Sequence, residues 1–239
     1  MQRILGYMRK AVQEFDLLED GDRVAVGISG GKDSMVLLYG LVLLKRFAGV
    51  DYDVVAITAD PGFDNKEGDY SEITAFCEKI GVEHIIKRTE IANIVFDVRK
   101  EKSPCSLCAK MRRGVLHEAT LEAKCNKIAL GHHYNDVVET FLMNLFIEGR
   151  VGCFAPKSWL SKRNITLIRP LCLAPEYEVR NAANRNNVPI HKSVCKADGN
   201  TQRQKMKDFI RQMDKENPGF SDRLFTALRK SGADDWGYK

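Results

Sequence analysis

Three short stretches of this 239-residue chain hold side chains whose types and spacing could do chemistry. The first is Ser29-Gly30-Gly31-Lys32-Asp33-Ser34. Its glycines let the backbone turn tightly and approach a ligand. Its serines add hydroxyls and Lys32 adds a cation. One apolar run, 24–28, precedes it and another, 35–44, follows, so it reads as the turn between a buried strand and a helix. The N–H groups and dipole of such a helix start face the turn. Together these features make a phosphate cradle. A plain strand-to-helix turn would account for only one or two of the six residues. The glycine spacing of the common P-loop NTPases is absent, because Val26 stands five residues before Gly31.

The second stretch is Gly131-His132-His133-Tyr134-Asn135-Asp136, again after a buried strand and before a helix. A carboxylate such as Asp136 can hold the Mg²⁺ that bridges ATP phosphates, and Gly131 leaves room beside a nucleotide. In the bland alternative, Asp136 and Glu139 form a helix-capping box, and His132 and His133 merely pack in a loop.

The third is the pair Cys105 and Cys108, spaced C-x-x-C with no second such pair in the chain. Alone it fits a redox pair, half a zinc site or cluster ligands. Cys195 lies in a polar, non-periodic stretch and is the candidate third thiolate, with Cys153 as its rival. Cys77, Cys125 and Cys172 read as buried small hydrophobes. Three thiolates leave one metal position open, and soft thiolates select zinc or iron–sulfur clusters. Lys110, Arg112 and Arg113 follow closely and can hold RNA phosphates or form a solvated helix face.

The elements that must position these groups alternate strand with helix. They predict an α/β fold: a doubly wound, mostly parallel five-stranded sheet over 24–28, 53–59, 83–88, 127–130 and 165–168. Residues 1–175 form the expected nucleotide-binding domain with an N-terminal helix, and 176–239 a helical extension packed on it. Residues 93–103 and 149–163 read as loops. Ligands of open α/β sheets sit beyond the carboxyl ends of strands. That places Ala59 and Asp60 near the glycine turn, although Asp60 also suits a simple turn.

Net charge is +5, from 37 Lys and Arg against 32 Asp and Glu, which permits nucleic-acid binding without requiring it. No apolar run reaches the roughly 20 residues of a membrane span, and the N-terminus lacks a secretory signal pattern. The expected location is the cytoplasm, where seven cysteines serve as thiols or ligands rather than disulfides.

The hexapeptide resembles the PP-loop of the ATP pyrophosphatases. Glu19-Asp20-Gly21-Asp22-Arg23, Cys105-Ser106-Leu107-Cys108, Gly131-His132-His133, Arg169-Pro170-Leu171 and Gln202-Arg203-Gln204 together resemble the tRNA 2-thiocytidine synthetase (TtcA) family. The resemblance covers most of the chain, in order. It implies ATP-dependent thiolation of a cytidine at position 32 in the tRNA anticodon loop, Mg²⁺, and a 4Fe–4S cluster on Cys105, Cys108 and Cys195 whose fourth iron carries sulfur. Asp33 and Asp136 would then be catalytic. Ser29 to Ser34, Ala59, Asp60, Gly131 and His132 would contact ATP. A sulfur donor such as a cysteine desulfurase is implied, and a homodimer is compatible. The alternatives are uridine 2-thiolation and a nucleotide-binding redox or metal sensor.

Overall fold

The computed structural model describes residues 1–99, 104–191 and 202–238. The apolar run before the glycines forms β1 (Asp22–Ile28), and the run after them α2 (Lys32–Leu44). Around this pair stand α1 (Gln2–Phe15), β2 (Tyr52–Asp60), α3 (Ser71–Lys79), β3 (Glu83–Arg88), α4 (Pro104–Glu122), β4 (Lys127–Ala129) and α5 (Tyr134–Ile147). Then follow β5 (Lys157–Leu160), β6 (Ile165–Ile168), α6 (Glu176–Arg185), α7 (Gln202–Glu216) and α8 (Phe220–Ser231).

The sheet has six strands, ordered β3-β2-β1-β4-β6-β5, and all pairs are parallel except β5–β6. The expected count of five therefore lacked β5, which was read as loop. Its residues, Lys-Ser-Trp-Leu, show no buried run, and they become a strand only by pairing antiparallel with β6 at the sheet's edge. Likewise Asn93–Val98 is a π-type helical turn rather than loop.

Successive side chains of a strand point to opposite faces, and the core divides accordingly. Val24, Val26 and Ile28 of β1 pack in a large cluster with residues of α1, α2, α6 and α8 and with the fully buried Trp236 that follows α8. Ala25, with Val55, Ile57 and Ile128, packs on the other face against Ala119 of α4. Covering both faces suits a parallel sheet. Helices α6 and α8, beyond residue 175, share the large cluster with β1, so they pack on the same body. On α5, Val138 and Leu142 are buried, whereas Phe146 is exposed.

After β3 the chain crosses back to place β4 on the other side of β1. Sheet order thus reverses between β1 and β4, and such a switch point opens a crevice at the strands' carboxyl ends. The glycine turn leaves β1 there, and Gly131-His132-His133 leaves β4 there.

Candidate nucleotide and sulfur-transfer site

The turn after β1 is built as its residues require. Gly30 has φ +81°, in the left-handed region that favours glycine. Gly31 caps α2. The Ser34 hydroxyl donates to Gly31 O (2.9 Å), and the Ser29 N–H donates back to Ser34 Oγ (3.2 Å). The two serines thus close the turn on itself and leave the start of α2 facing the crevice.

Gly131 serves this turn directly. A Cβ there would lie 2.9 Å from Asp33 C and 3.0 Å from Ser34 N. The space expected to lie beside a nucleotide is filled by the turn's own backbone. The glycine lets β4 approach the turn.

Asp136 lies at the third position of α5, and His133 is the N-cap. The capping box is therefore His133–Asp136, not Asp136–Glu139, because the helix starts at Tyr134. The His133 N–H donates to Asp136 Oδ2 (2.9 Å), and the Asp136 N–H to His133 Nδ1 (3.3 Å). His133 Nε2 reaches 3.8 Å from Asp33 Oδ1, so the His133 ring stands between the two aspartates. Asp33 Oδ1 is buried and accepts no hydrogen bond, although the Lys32 ammonium lies 3.0 Å away. A buried carboxylate oxygen left in that state fits a cation, while Asp136 lies on the other side of the His133 ring.

His132 is a neutral group. Burial and the positive charge of Arg169 push its pKa down to about 4. Its ring stacks on Phe154 with centroids 4.8 Å apart, and its Nδ1 accepts from Arg169 Nε (3.2 Å).

Asp60 is only 2% exposed, and its carboxylate is committed to its own loop. It accepts from Gly68 N (2.9 Å), Gly62 N (3.2 Å), Tyr70 Oη (3.3 Å) and Arg88 Nη1 (2.6 Å). Burial opposes its charge, but these donors outweigh it and hold its pKa down. Asp60 thus shapes the wall of a cavity of about 290 Å³ that also meets Ser29, Tyr70, Arg112 and His191. Ala59 is buried in β2 beside it.

The C-x-x-C pair lies within α4, in its first described turn, rather than before the helix. Cys105, Cys108 and Arg112 fall on one stripe, since residues three and four apart share a helix face. Arg112 lines the cavity with Ser29, so this stripe borders the crevice. Lys110 and Arg113 are exposed on the outside. The expected basic trio is therefore split.

The other thiols are disqualified by burial. It raises the Cys77 pKa to about 11 and that of Cys153 to about 12, and it also raises those of Cys125 and Cys172. Cys153, the rival third ligand, is 3% exposed and donates to Val137 O (3.5 Å). Among the described residues no three Cys, His, Asp or Glu form a metal site. Cys195 lies outside the described residues. Of the described flanks of its segment, one meets the nucleotide turn and the other the start of α5: His191 N–H donates to Gly30 O (2.9 Å), and Arg203 Nη1 meets Asp136 Oδ1 (3.0 Å). Cys105 is exposed and Cys108 half-buried, so both differ from the buried thiols.

Sequence reasoning missed Glu176, His191 and Lys207 as site residues, and it set His133 and Arg203 within motifs without giving either a role. Glu176, first residue of α6, meets Lys32 at 3.2 Å and Lys207 at 2.9 Å. Burial opposes its charge, but Lys207 and Lys32 pull its pKa down to about 2. Lys32 keeps its proton in turn: burial disfavours the charge, but Asp33 and Glu176 outweigh it.

Comparison with known proteins agrees with this geometry. Residues 5–213 match the PP-loop domain family. A tRNA-cytidine(32) 2-sulfurtransferase of Geobacter metallireducens is 38% identical over 230 residues, covering 95% of this chain and 89% of that protein. One of Ralstonia pickettii is 34% identical, covering 95% of this chain and 72% of that protein. Among solved structures, the U34-tRNA thiolase NcsA of Methanococcus maripaludis, determined with its 4Fe–4S cluster, superposes with TM-score 0.77 at 26% identity. That match covers 96% of this chain and 78% of NcsA.

Proposed function

This chain belongs to the PP-loop family of the tRNA-cytidine(32) 2-sulfurtransferases, and from that premise we propose how its site works. It is an ATP-dependent tRNA thiolase that acts on cytidine 32. One observation carries the reading: the phosphate turn, Asp33 and Asp136 on either side of His133, and the C-x-x-C helix through Arg112 meet around the crevice between β1 and β4.

The N–H groups at the start of α2 hold the terminal phosphates of ATP, and Lys32 offsets their charge. The 2-oxo oxygen of the splayed-out cytosine attacks the α-phosphorus and pyrophosphate leaves. Asp33 and Asp136 would hold the Mg²⁺ that accompanies the phosphates. Arg112, in the cavity wall, steadies the RNA or the adenylylated base. Cys105, Cys108 and Cys195 would hold the 4Fe–4S cluster, which supplies an iron with no protein ligand to carry the sulfur. AMP leaves as the thiolated base forms. Lys110 and Arg113 meet tRNA phosphates outside the crevice.

The sulfur itself comes from a donor such as a cysteine desulfurase, and the enzyme works in the cytoplasm with its tRNA. No helix among the described residues is long and apolar enough to cross a membrane.

The test is Asp33→Ala, assayed with tRNA for AMP release and for 2-thiocytidine by nucleoside mass spectrometry. Both should vanish while the melting temperature holds. Undiminished AMP production would remove this site from the chemistry. Thiouridine in place of thiocytidine would move the target, and ATP binding without turnover would favour a sensor.

A further inference from the structure

Helix α7 lies far in sequence from the phosphate turn, yet it sends two cations to carboxylates beside it. Arg203 pairs with Asp136 (3.0 Å) and donates from Nη2 to Thr140 Oγ1 (3.1 Å). Lys207 pairs with one oxygen of Glu176 (2.9 Å), whose other oxygen pairs with Lys32 of the turn (3.2 Å). A single carboxylate thus stands between the turn's lysine and the α7 lysine, where an anion bridging both would stand.

Exposure argues against a purely anchoring role. Side chains of Arg203 and Lys207 are 43% and 24% exposed. Ion pairs that open to water add little to stability and exchange readily. A triphosphate carries more charge than one lysine and a helix start can offset. Loading Asp136 with a metal ion would also displace Arg203 from it, freeing a guanidinium beside the phosphates.

We propose that Arg203 and Lys207 are phosphate-binding residues of this enzyme, which Asp136 and Glu176 hold in place until the triphosphate end of ATP takes over. Glu176 is the stand-in anion. The inference rests on the nucleotide reading of the turn and extends it to a helix outside the motif.

The full-length protein is titrated with ATP, with inorganic pyrophosphate and with AMP. Arg203→Gln and Lys207→Gln should each weaken ATP and pyrophosphate by about tenfold and leave AMP unchanged, since AMP lacks the terminal phosphates. Arg203→Lys keeps the charge and should recover most of the loss, which a mere defect of folding would not allow. Glu176→Gln removes the stand-in anion and should tighten pyrophosphate several-fold. Wild-type ATP affinity in both α7 variants, an equal loss for AMP, or weaker pyrophosphate in Glu176→Gln would each overturn the inference. Lys32→Gln separates the two levels. If it too keeps full ATP affinity, the reading of the turn itself fails. If it alone loses ATP, only the role of α7 fails.

Discussion

Replacing Gly131 by alanine tests whether the close approach of β4 places the phosphate turn. Gly131 does not adopt the left-handed backbone, so alanine meets no conformational penalty there. The cost is contact alone. Its Cβ would sit 2.9 Å from Asp33 C, 3.0 Å from Ser34 N and 3.1 Å from Asp33 O. All three are backbone atoms and cannot swing aside as a side chain would. Reaching an ordinary separation of about 3.5 Å moves the turn or the end of β4 by about 0.5 Å. Overpacking of this kind costs ~1–3 kcal/mol. For a chain of this size that lowers Tm by roughly 2–12 °C. A misplacement of about 1 Å can cost ~100-fold in rate, so half of that should cost about tenfold in kcat/KM for AMP release. Thermal melting and the tRNA-dependent AMP assay read both quantities. Gly6→Ala is the control: it lies within α1 with nothing within 4 Å of a Cβ. It should raise stability by ~0.5–1 kcal/mol and leave the rate unchanged. Wild-type melting and wild-type AMP release in Gly131→Ala would refute the reasoning.

Other perturbations read other parts of the site. Cys105→Ala and Cys108→Ala should lose iron and thiolation together. Cys172→Ala, which removes a fully buried thiol, should keep its iron and lose about 1 kcal/mol of stability; iron loss there and in Cys153→Ala, but not in Cys195→Ala, would reassign the ligands. Reversing Lys110 and Arg113 to Glu should weaken tRNA binding and flatten its salt dependence, and an unchanged salt slope would make them a plain solvated face. Burial and the charge of Asp136 raise the Glu139 pKa from 4.5 to about 7. A raised carboxyl adds stability when neutral and loses it as pH rises through the folded value. Glu139→Gln should therefore melt above wild type at pH above about 7 and approach it as pH falls below about 4.5; a difference independent of pH would refute this.

The sequence by itself determined the local motifs. A strand, a glycine turn and a helix start are set by residues within one stretch, so Ser29 to Ser34 could be read as a phosphate turn without the fold. The C-x-x-C pair and the parallel α/β class were legible for the same reason, since buried strands and amphipathic helices mark themselves by local pattern. Tertiary structure decided what each residue faces. Lys110, Arg112 and Arg113 look alike in sequence, but the helical period turns Arg112 toward the cavity and leaves the others outside. Asp60 reads as a ligand or a turn residue until Gly62, Gly68, Tyr70 and Arg88 are seen to occupy its carboxylate. Strand β5 has no apolar pattern of its own and exists through its hydrogen bonds to β6. Lys207 carries no local signature, and the Gln202-Arg203-Gln204 motif gives no partner for Arg203, because a cation on a helix usually faces water. Only the packing of α7 against α5 brings them to Asp136 and Glu176. Long-range contacts depend on how the whole chain closes, and no short window of residues contains that information.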